Sequence, residues 1–537
     1  MTLLLRVDEI DSTLTSNGWH KGAIEKMRFA NIIKNACAAM LVLSCNIAGT
    51  LPAHAADSEM VGVRAGILDF VDDPWKMPGH SDDAARFLPD GLLVISDGKV
   101  KECGAYSDIS SKYPGLRVTS YTNRIIMPGF VDGHIHVGQT RVLGAYGEQL
   151  LPWLLEWIFP EEIKFKDNAY AHEAINHYFD DLLSSGTTTV QDFGTGFESA
   201  TEVYFDEASK RNMRVITGLS GMDQRCPQEL VTAPDDFYAS CKRLIAKYHR
   251  QGRNLYAITP RFAYGASPEL MAVMGKLHKE YPDCWINTHV SENPTETKSA
   301  AAYHHTKDYL GCYEKYGLVG PKFTAGHGVW LSDDEFNRIA KAGASISFCP
   351  NSNTFLGSGL FRIGKATDPA NRCRMTFGTD MGGGNSFSML NVLNTAYKVG
   401  MMNNTMLDGS VDPRWHNDSE AERNKLNAMR AYYSLTLGGA RGLYLDDLIG
   451  NFIPGKEADF VVLDWNGGPP PTKWHQSLIC GDKAPQNIDQ AAKLLFGVMA
   501  VGDDRAVDET WVYGKRLYKR GADFGLAKAS EVESSSH

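Results

Sequence analysis

At 537 residues the chain exceeds the usual size of one domain and has room for a large core plus a smaller partner unit. Its 43% hydrophobic and 22% charged residues are those of an ordinary globular protein. A net charge of −10 without a basic cluster argues against a bound nucleic-acid polymer, and ten scattered cysteines with no Cys-x-x-Cys pair argue against a zinc ribbon or thioredoxin-like site.

The first 55 residues read as targeting sequence. Arg28 and Lys34 give a positive start, Ala36–Cys45 forms a short apolar core, and Leu51–Ala55 ends in an Ala-x-Ala pattern before Ala56-Asp57. The apolar run is too short for a bilayer span of roughly 20 residues. A signal peptide over 1–55, with Met27 as an alternative start, predicts a periplasmic or secreted chain. If the leader does not function, the chain is cytoplasmic, and a buried N-terminal helix is the rival reading.

The flank 57–126 holds short β-like runs, such as Gly91–Ser96, a turn at Asp97-Gly98, then Lys99-Val100. The block 127–446 alternates strand and helix. Ser267-Pro268-Glu269 starts a helix that runs to about Lys279 and stops at Tyr281-Pro282. A strand follows over Cys284–His289, then a helix capped by Ser332 and ending near Ala342-Gly343. Further strands cover Ala344–Cys349 and Met375–Asp380. The second flank, 447–522, offers strands at Ala458–Asp464 and Glu509–Tyr513, and 523–537 is a polar tail. The prediction is an α/β fold: a (β/α)8 TIM-like barrel with a small β-sandwich domain built from both flanks. A doubly wound sheet is the rival, but no Gly-x-Gly-x-x-Gly turn supports it.

Barrel enzymes place functional side chains at the C-terminal ends of strands. Four predicted strand ends finish in metal-ligand residue types here. Ile125–Gly133 leads into His134-Ile135-His136, whose two imidazoles share one side of a strand. His289, His327 and Asp380 end three others. Each alone is weak: a lone strand-end histidine is more often a hydrogen-bonded residue, and an aspartate after Gly-Thr is usually a cap. Together they suit zinc, with iron as the alternative.

The stretches MPGFVDGHIHVGQ (127–139), LPWLLEWIFPEE (151–162), SGTTTVQDF (185–193), TPRF (259–262), THVSEN (288–293), GHGVWLS (326–332), CPNSN (349–353) and FGTDMGGGNSFSML (377–390) resemble the amidohydrolase superfamily, and within it the guanine deaminase family. That resemblance implies one zinc per chain held by His134, His136, His289 and Asp380. It implies Glu292 as proton shuttle, Gln139, Arg261 and Phe262 as substrate contacts, and a homodimer. The implied reaction is hydrolytic deamination of guanine to xanthine and ammonia. The alternative is an aminohydrolase acting on another amino-heterocycle such as a pterin. The chain departs from the family pattern at Ala263–Ser267, beside the expected substrate pocket.

Zinc lowers the pKa of a bound water from about 15.7 towards ~7. Glu292, three residues after His289, can move the water proton to a ring nitrogen and then to the departing amine. His327 and Asp380 are the other catalytic candidates, as a hydrogen-bonding partner and a second proton acceptor. No lysine stands near Thr259-Pro260-Arg261, so a metal-bridging carboxylated lysine is not expected and the site is predicted to be mononuclear. Arg261 only donates, which suits the 6-oxo group of guanine, whereas Gln139 both donates and accepts, and Phe262 offers a stacking face. The plainer readings are a structural salt bridge for Arg261 and core packing for Phe262. Trp153, Trp157 and Phe159 are expected to pack a lid or subunit contact and not to touch substrate. Hydrolysis of a cyclic amide or carbamate, and binding without catalysis, are the remaining alternatives.

Overall fold

A computed structural model describes residues 60–147, 149–405 and 419–522. The predicted leader, with Cys37 and Cys45, and the polar tail lie outside the described residues. The N-terminal flank folds as β1 (Val61–Phe70), β2 (Ala85–Ser96), β3 (Lys99–Ala105) and β4 (Arg117–Pro128). The barrel strands are β5 (Phe130–His136), β6 (Thr187–Phe193), β7 (Arg214–Thr217), the short β8 (Ser220–Gly221), β9 (Asn254–Pro260), β10 (Trp285–Val290), β11 (Phe323–His327), β12 (Ser345–Phe348) and β13 (Arg374–Phe377). The C-terminal flank adds β14 (Phe460–Leu463), β15 (Val507–Val512) and β16 (Lys515–Lys519).

The two flanks, far apart in sequence, pair into one seven-stranded mixed sheet in the order β16-β15-β14-β4-β1-β2-β3. The junction between flanks is antiparallel, with Met127 opposite Val461. Strand alternation splits the apolar residues between two faces. Val63, Ala65, Ile67, Leu93, Ile95, Ile126, Phe460 and Val462 make a core of the sheet's own. Ile125, Met127, Val461 and Leu463 turn the other way and join the main core with the barrel. The Asp97-Gly98 turn is the tight hairpin its sequence predicts. Both residues have positive φ, 53° and 73°, as a type I′ turn requires.

The barrel strands run parallel in the order β5-β6-β7-β9-β10-β11-β12-β13. β5, β6 and β9 are buried along their whole length, as expected of strands covered on both faces. The barrel closes where the backbone N–H of Asp380 donates to the His134 carbonyl at 2.8 Å and that of Thr379 donates to Asp132 Oδ1 at 3.1 Å. A glycine is needed in this seam, because a Cβ on Gly378 would lie 2.6 Å from the Cβ of His134.

The helices follow their sequence signals. Ser267 Oγ accepts from the Leu270 N–H ahead of the helix Pro268–Glu280. Ser332 and Glu335 form a capping box on Asp333–Ala342, and Gly343 ends that helix at φ 71°. Among the described residues no helix is long and apolar enough to cross a membrane. The eight described cysteines are free, and five of them are buried.

Candidate active site

β5 delivers His134 and His136 to the C-terminal mouth of the barrel, 1% exposed each. β10 brings His289, and the loop after β13 brings Asp380. One nitrogen or oxygen from each of these four residues lies within 4.8 Å of all the others. Asp380 Oδ1 stands 3.4 Å from His134 Nε2 and 3.1 Å from His136 Nε2, and His136 Nε2 is 3.2 Å from His289 Nε2. The His136 ring is stacked against Phe193 with centroids 4.5 Å apart.

The neighbouring hydrogen bonds aim the rings. His289 Nδ1–H donates to the Arg261 carbonyl at 2.5 Å, which leaves the Nε2 lone pair facing the cluster. His327, the last residue of β11, donates from Nδ1 to Asn353 Oδ1 at 2.9 Å. Its Nε2 points at Glu292 Oε2 (3.5 Å) and Asp380 Oδ2 (3.8 Å).

Burial dominates the electrostatics. It pushes His136 down to about 3 and, with the other three histidines adding to it, holds His289 well below the ordinary imidazole range. Burial raises Asp380, but the His134 and His136 rings beside it outweigh that and hold it well below the usual carboxylate value. The cluster is therefore neutral imidazoles around a carboxylate, the protonation state a cation requires. Burial, reinforced by Asp380, pushes Glu292 well above its ordinary value, so this carboxyl is poised to carry a proton.

Buried polar atoms normally find partners, yet His134 Nε2, His136 Nδ1 and His327 Nε2 have no hydrogen-bond partner among the described residues. Three imidazoles and one carboxylate whose ligand atoms converge within 4.8 Å fit a divalent cation. A second grouping joins Cys349 to His134 and His327, but burial holds the Cys349 thiol far above its usual range and so protonated. A third grouping, His249 with Asp283 and Cys284, lies elsewhere. There His249 Nδ1 is occupied as acceptor of the Tyr256 N–H, and Arg250 already pairs with Asp283.

A cavity opens beside the cluster. His136, Gln139, Leu150, Trp153, Arg261 and Phe262 line it together with Glu292, Glu296 and Asp380. The structure thus gathers the predicted metal ligands, catalytic residues and substrate contacts at one place. Arg261 takes both of its readings at once, because it faces the cavity and also pairs with Glu162 at 2.6 Å. Phe262 likewise lines the cavity while packing in an apolar cluster with Trp153, Phe159 and Leu356. No lysine lines the cavity.

One expectation changes. Trp153 was assigned to a lid or subunit contact, but it forms part of the cavity wall with Leu150 and Leu154. Trp157 points outward and Phe159 is buried beneath Arg261. The cause is local: a turn of π-helix over Leu154–Ile158 rotates the aromatic positions away from regular spacing. The divergent Ala263–Gly265 segment is a 3-10 turn. It sits behind Phe262, with the Ala263 N–H donating to the Tyr313 hydroxyl.

Sequence reasoning missed four residues. Glu162 pairs with Arg261. Asp132 accepts the N–H groups of His134 and Thr379 across the seam. Ser358 Oγ lies 3.4 Å from Glu292 Oε1. Glu296 lines the cavity, accepts a hydrogen bond from Tyr309, and is pushed up to about 8 by burial and by Glu292. Glu162 and Asp132 stood inside quoted motifs, but nothing in the sequence showed what they would face.

Residues 125–517 match the sequence model described as Amidohydrolase family. The guanine deaminase of Escherichia coli K12 is 40% identical over 463 residues, covering 85% of this chain and 98% of that protein. The chain belongs to the guanine deaminase family of amidohydrolases. The crystal structure of guanine deaminase from Bradyrhizobium japonicum is 60% identical, with a TM-score of 0.84, and covers 86% of this chain and all of that one. A structure from C. acetobutylicum, described as guanine deaminase with guanine bound in the active site, is 26% identical with a TM-score of 0.72 over the same share of this chain. The family generally binds a divalent metal, and the four-residue cluster is the group here that could hold one.

Proposed function

We propose that the protein hydrolyses guanine to xanthine and ammonia. The observation that carries this reading is the buried Glu292 carboxyl, set between a three-histidine and aspartate cluster and a cavity lined by Arg261 and Gln139. The guanine deaminases among its relatives support guanine over a pterin as substrate.

His134, His136, His289 and Asp380 would hold one divalent ion, for which we propose zinc, with iron as the alternative. When bound, that ion supplies Lewis acidity, lowering the pKa of water from 15.7 towards about 7. The residues do the rest. Arg261 donates to the 6-oxo group and Gln139 pairs with the adjacent ring edge, while Phe262 supports the ring face. Glu292 takes one proton from the attacking water and delivers it to ring N3 as the new C2–O bond forms. His327, steered by Asn353, hydrogen-bonds at that oxygen and steadies the tetrahedral carbon. Glu292 or Asp380 then passes the remaining hydroxyl proton to the amine, the C2–N bond breaks, and ammonia leaves with C2 as a carbonyl.

The test is ammonia and xanthine release from guanine by purified protein, against a panel of pterins and adenine. Turnover of a pterin above guanine would falsify the assignment. Metal analysis should return one ion per chain, and two tightly held ions would contradict the mononuclear site. We further propose a homodimer and export through the leader. Sedimentation tests the first, and cell fractionation with N-terminal sequencing of the mature protein tests the second. A monomer, or an uncleaved cytoplasmic chain, overturns the respective proposal.

A further inference from the structure

Glu162 sits in the short helix Phe159–Ile163 and is 4% exposed. Its Oε1 accepts from Arg261 Nη1 at 2.6 Å. Burial raises the Glu162 carboxyl, while Arg261 and the neighbouring Gln139 amide both act to lower it. A guanidinium stays charged, and a carboxylate held beside one can only accept. Gln139 must therefore turn its Nε2 donor towards Glu162. Its Oε1 is buried and has no hydrogen-bond partner among the described residues. The backbone is shaped to leave that oxygen room, since a Cβ on Gly382 (φ +111°) would lie 2.0 Å from it. Gln139 and Arg261 both line the cavity.

We infer that Glu162 is a positioning residue that locks the Gln139 amide with its oxygen towards substrate, so that the site reads a ring edge carrying C=O beside N–H. This rests on the functional reading above, in which Arg261 and Gln139 meet the purine. Arg261 then offers N–H to the carbonyl and Gln139 offers a lone pair to the adjoining N–H. A lactam edge, such as the 6-oxo and N1–H of guanine, satisfies both. The edge of 2,6-diaminopurine inverts the pattern: an amine faces Arg261 and a bare ring nitrogen faces the Gln139 oxygen. Its reacting C2 amine is the same. Buried polar groups left unpaired in this way give discrimination of roughly 10⁴. Without Glu162 the Gln139 amide is free to turn over and accept either edge.

The experiment is the ratio of kcat/KM for guanine to that for 2,6-diaminopurine, measured on metal-loaded wild type, Glu162→Gln and Glu162→Asp. In Glu162→Gln a neutral amide replaces the acceptor-only carboxylate. The ratio should fall at least tenfold, mostly through KM, while Glu162→Asp keeps it within a few-fold of wild type. A purely structural role would lower both substrates alike, so an unmoved ratio in a folded Glu162→Gln enzyme overturns the inference. If that variant does not fold, Gln139→Met decides. Loss of its amide oxygen should lower the ratio at least tenfold, and an unchanged ratio overturns the lock. No ammonia from guanine with the wild-type enzyme overturns the functional reading and this inference with it. Normal guanine turnover with an unmoved ratio overturns the inference alone.

Discussion

The two ends of the barrel bury charged and titratable groups to opposite purposes. At the N-terminal end, Arg214 at the start of β7 and Arg253 just before β9 meet Glu457 and Asp459 from the segment leading into β14. Arg214 Nε donates to Glu457 Oε2 at 2.8 Å, Arg253 Nη2 to the same oxygen at 2.7 Å, and Arg253 Nη1 to Asp459 Oδ1 at 3.1 Å. Charges are matched there, and the network ties the sheet to the barrel. At the C-terminal mouth, three histidines, Asp380 and Glu292 crowd together with ring nitrogens unpartnered. A buried polar group left unmatched costs about 1–3 kcal/mol. The mouth keeps several, which makes sense only if an ion and a substrate complete it. At the mouth, unmatched buried polarity coincides with converging metal-ligand side chains, and that combination marks the site.

The largest effect separating the two ends should come from removing the ion's seat. Chelation, or His136→Ala, should drop ammonia release by at least about 10⁴-fold, and added zinc should rescue only the chelated wild type. Retained activity in a metal-free sample would sink the metal role. Next, Glu292→Gln should cost roughly 10²–10⁴ in kcat while metal content and guanine binding hold; near-normal turnover removes Glu292 from the proton path. At the opposite end, Glu457→Ala strands the buried Arg214 and leaves Arg253 with Asp459 alone, and should destabilise the fold by about 3–5 kcal/mol in urea titrations. Its kcat per folded molecule should not change, and a fall in kcat there would blur the contrast between the ends. Back at the mouth, Asn353→Ala frees the His327 ring and should cost about 10–100-fold in kcat with Tm nearly unchanged.

The smallest effect is a pH dependence. Burial raises Glu457, but Arg214 and Arg253 outweigh it, and its folded value is depressed. The unfolded chain therefore binds more protons in acid. The network's contribution is full above the unfolded carboxylate value of about 4.3 and is lost as pH falls through the lower folded value. Thermal midpoints between pH 3 and 5 should drop more steeply for wild type than for Glu457→Gln. Parallel slopes would refute the linkage.

How far the sequence could be read follows the range of the forces involved. Local chemistry was legible. The Asp97-Gly98 turn, the Ser267 cap and the Ser332-to-Gly343 helix depend on residues a few positions apart. His134 and His136 share a side because a strand repeats every two residues. The alternation of strands with helices pointed to the barrel, which is the fold observed. The pairing of flanks through β4 and β14 was legible in texture but not in register.

What the chain by itself determined was the barrel, the ligand-type residues at its strand ends, and the family that its motifs resemble. Only the tertiary structure decided that Trp153 faces the cavity, that Glu162 pairs with Arg261, and that Glu296 stands beside Glu292. Those contacts join residues from different elements, up to 99 positions apart for Arg261 and Glu162. A carboxylate's partner is set by where the backbone carries it, and periodicity within one element holds no record of that.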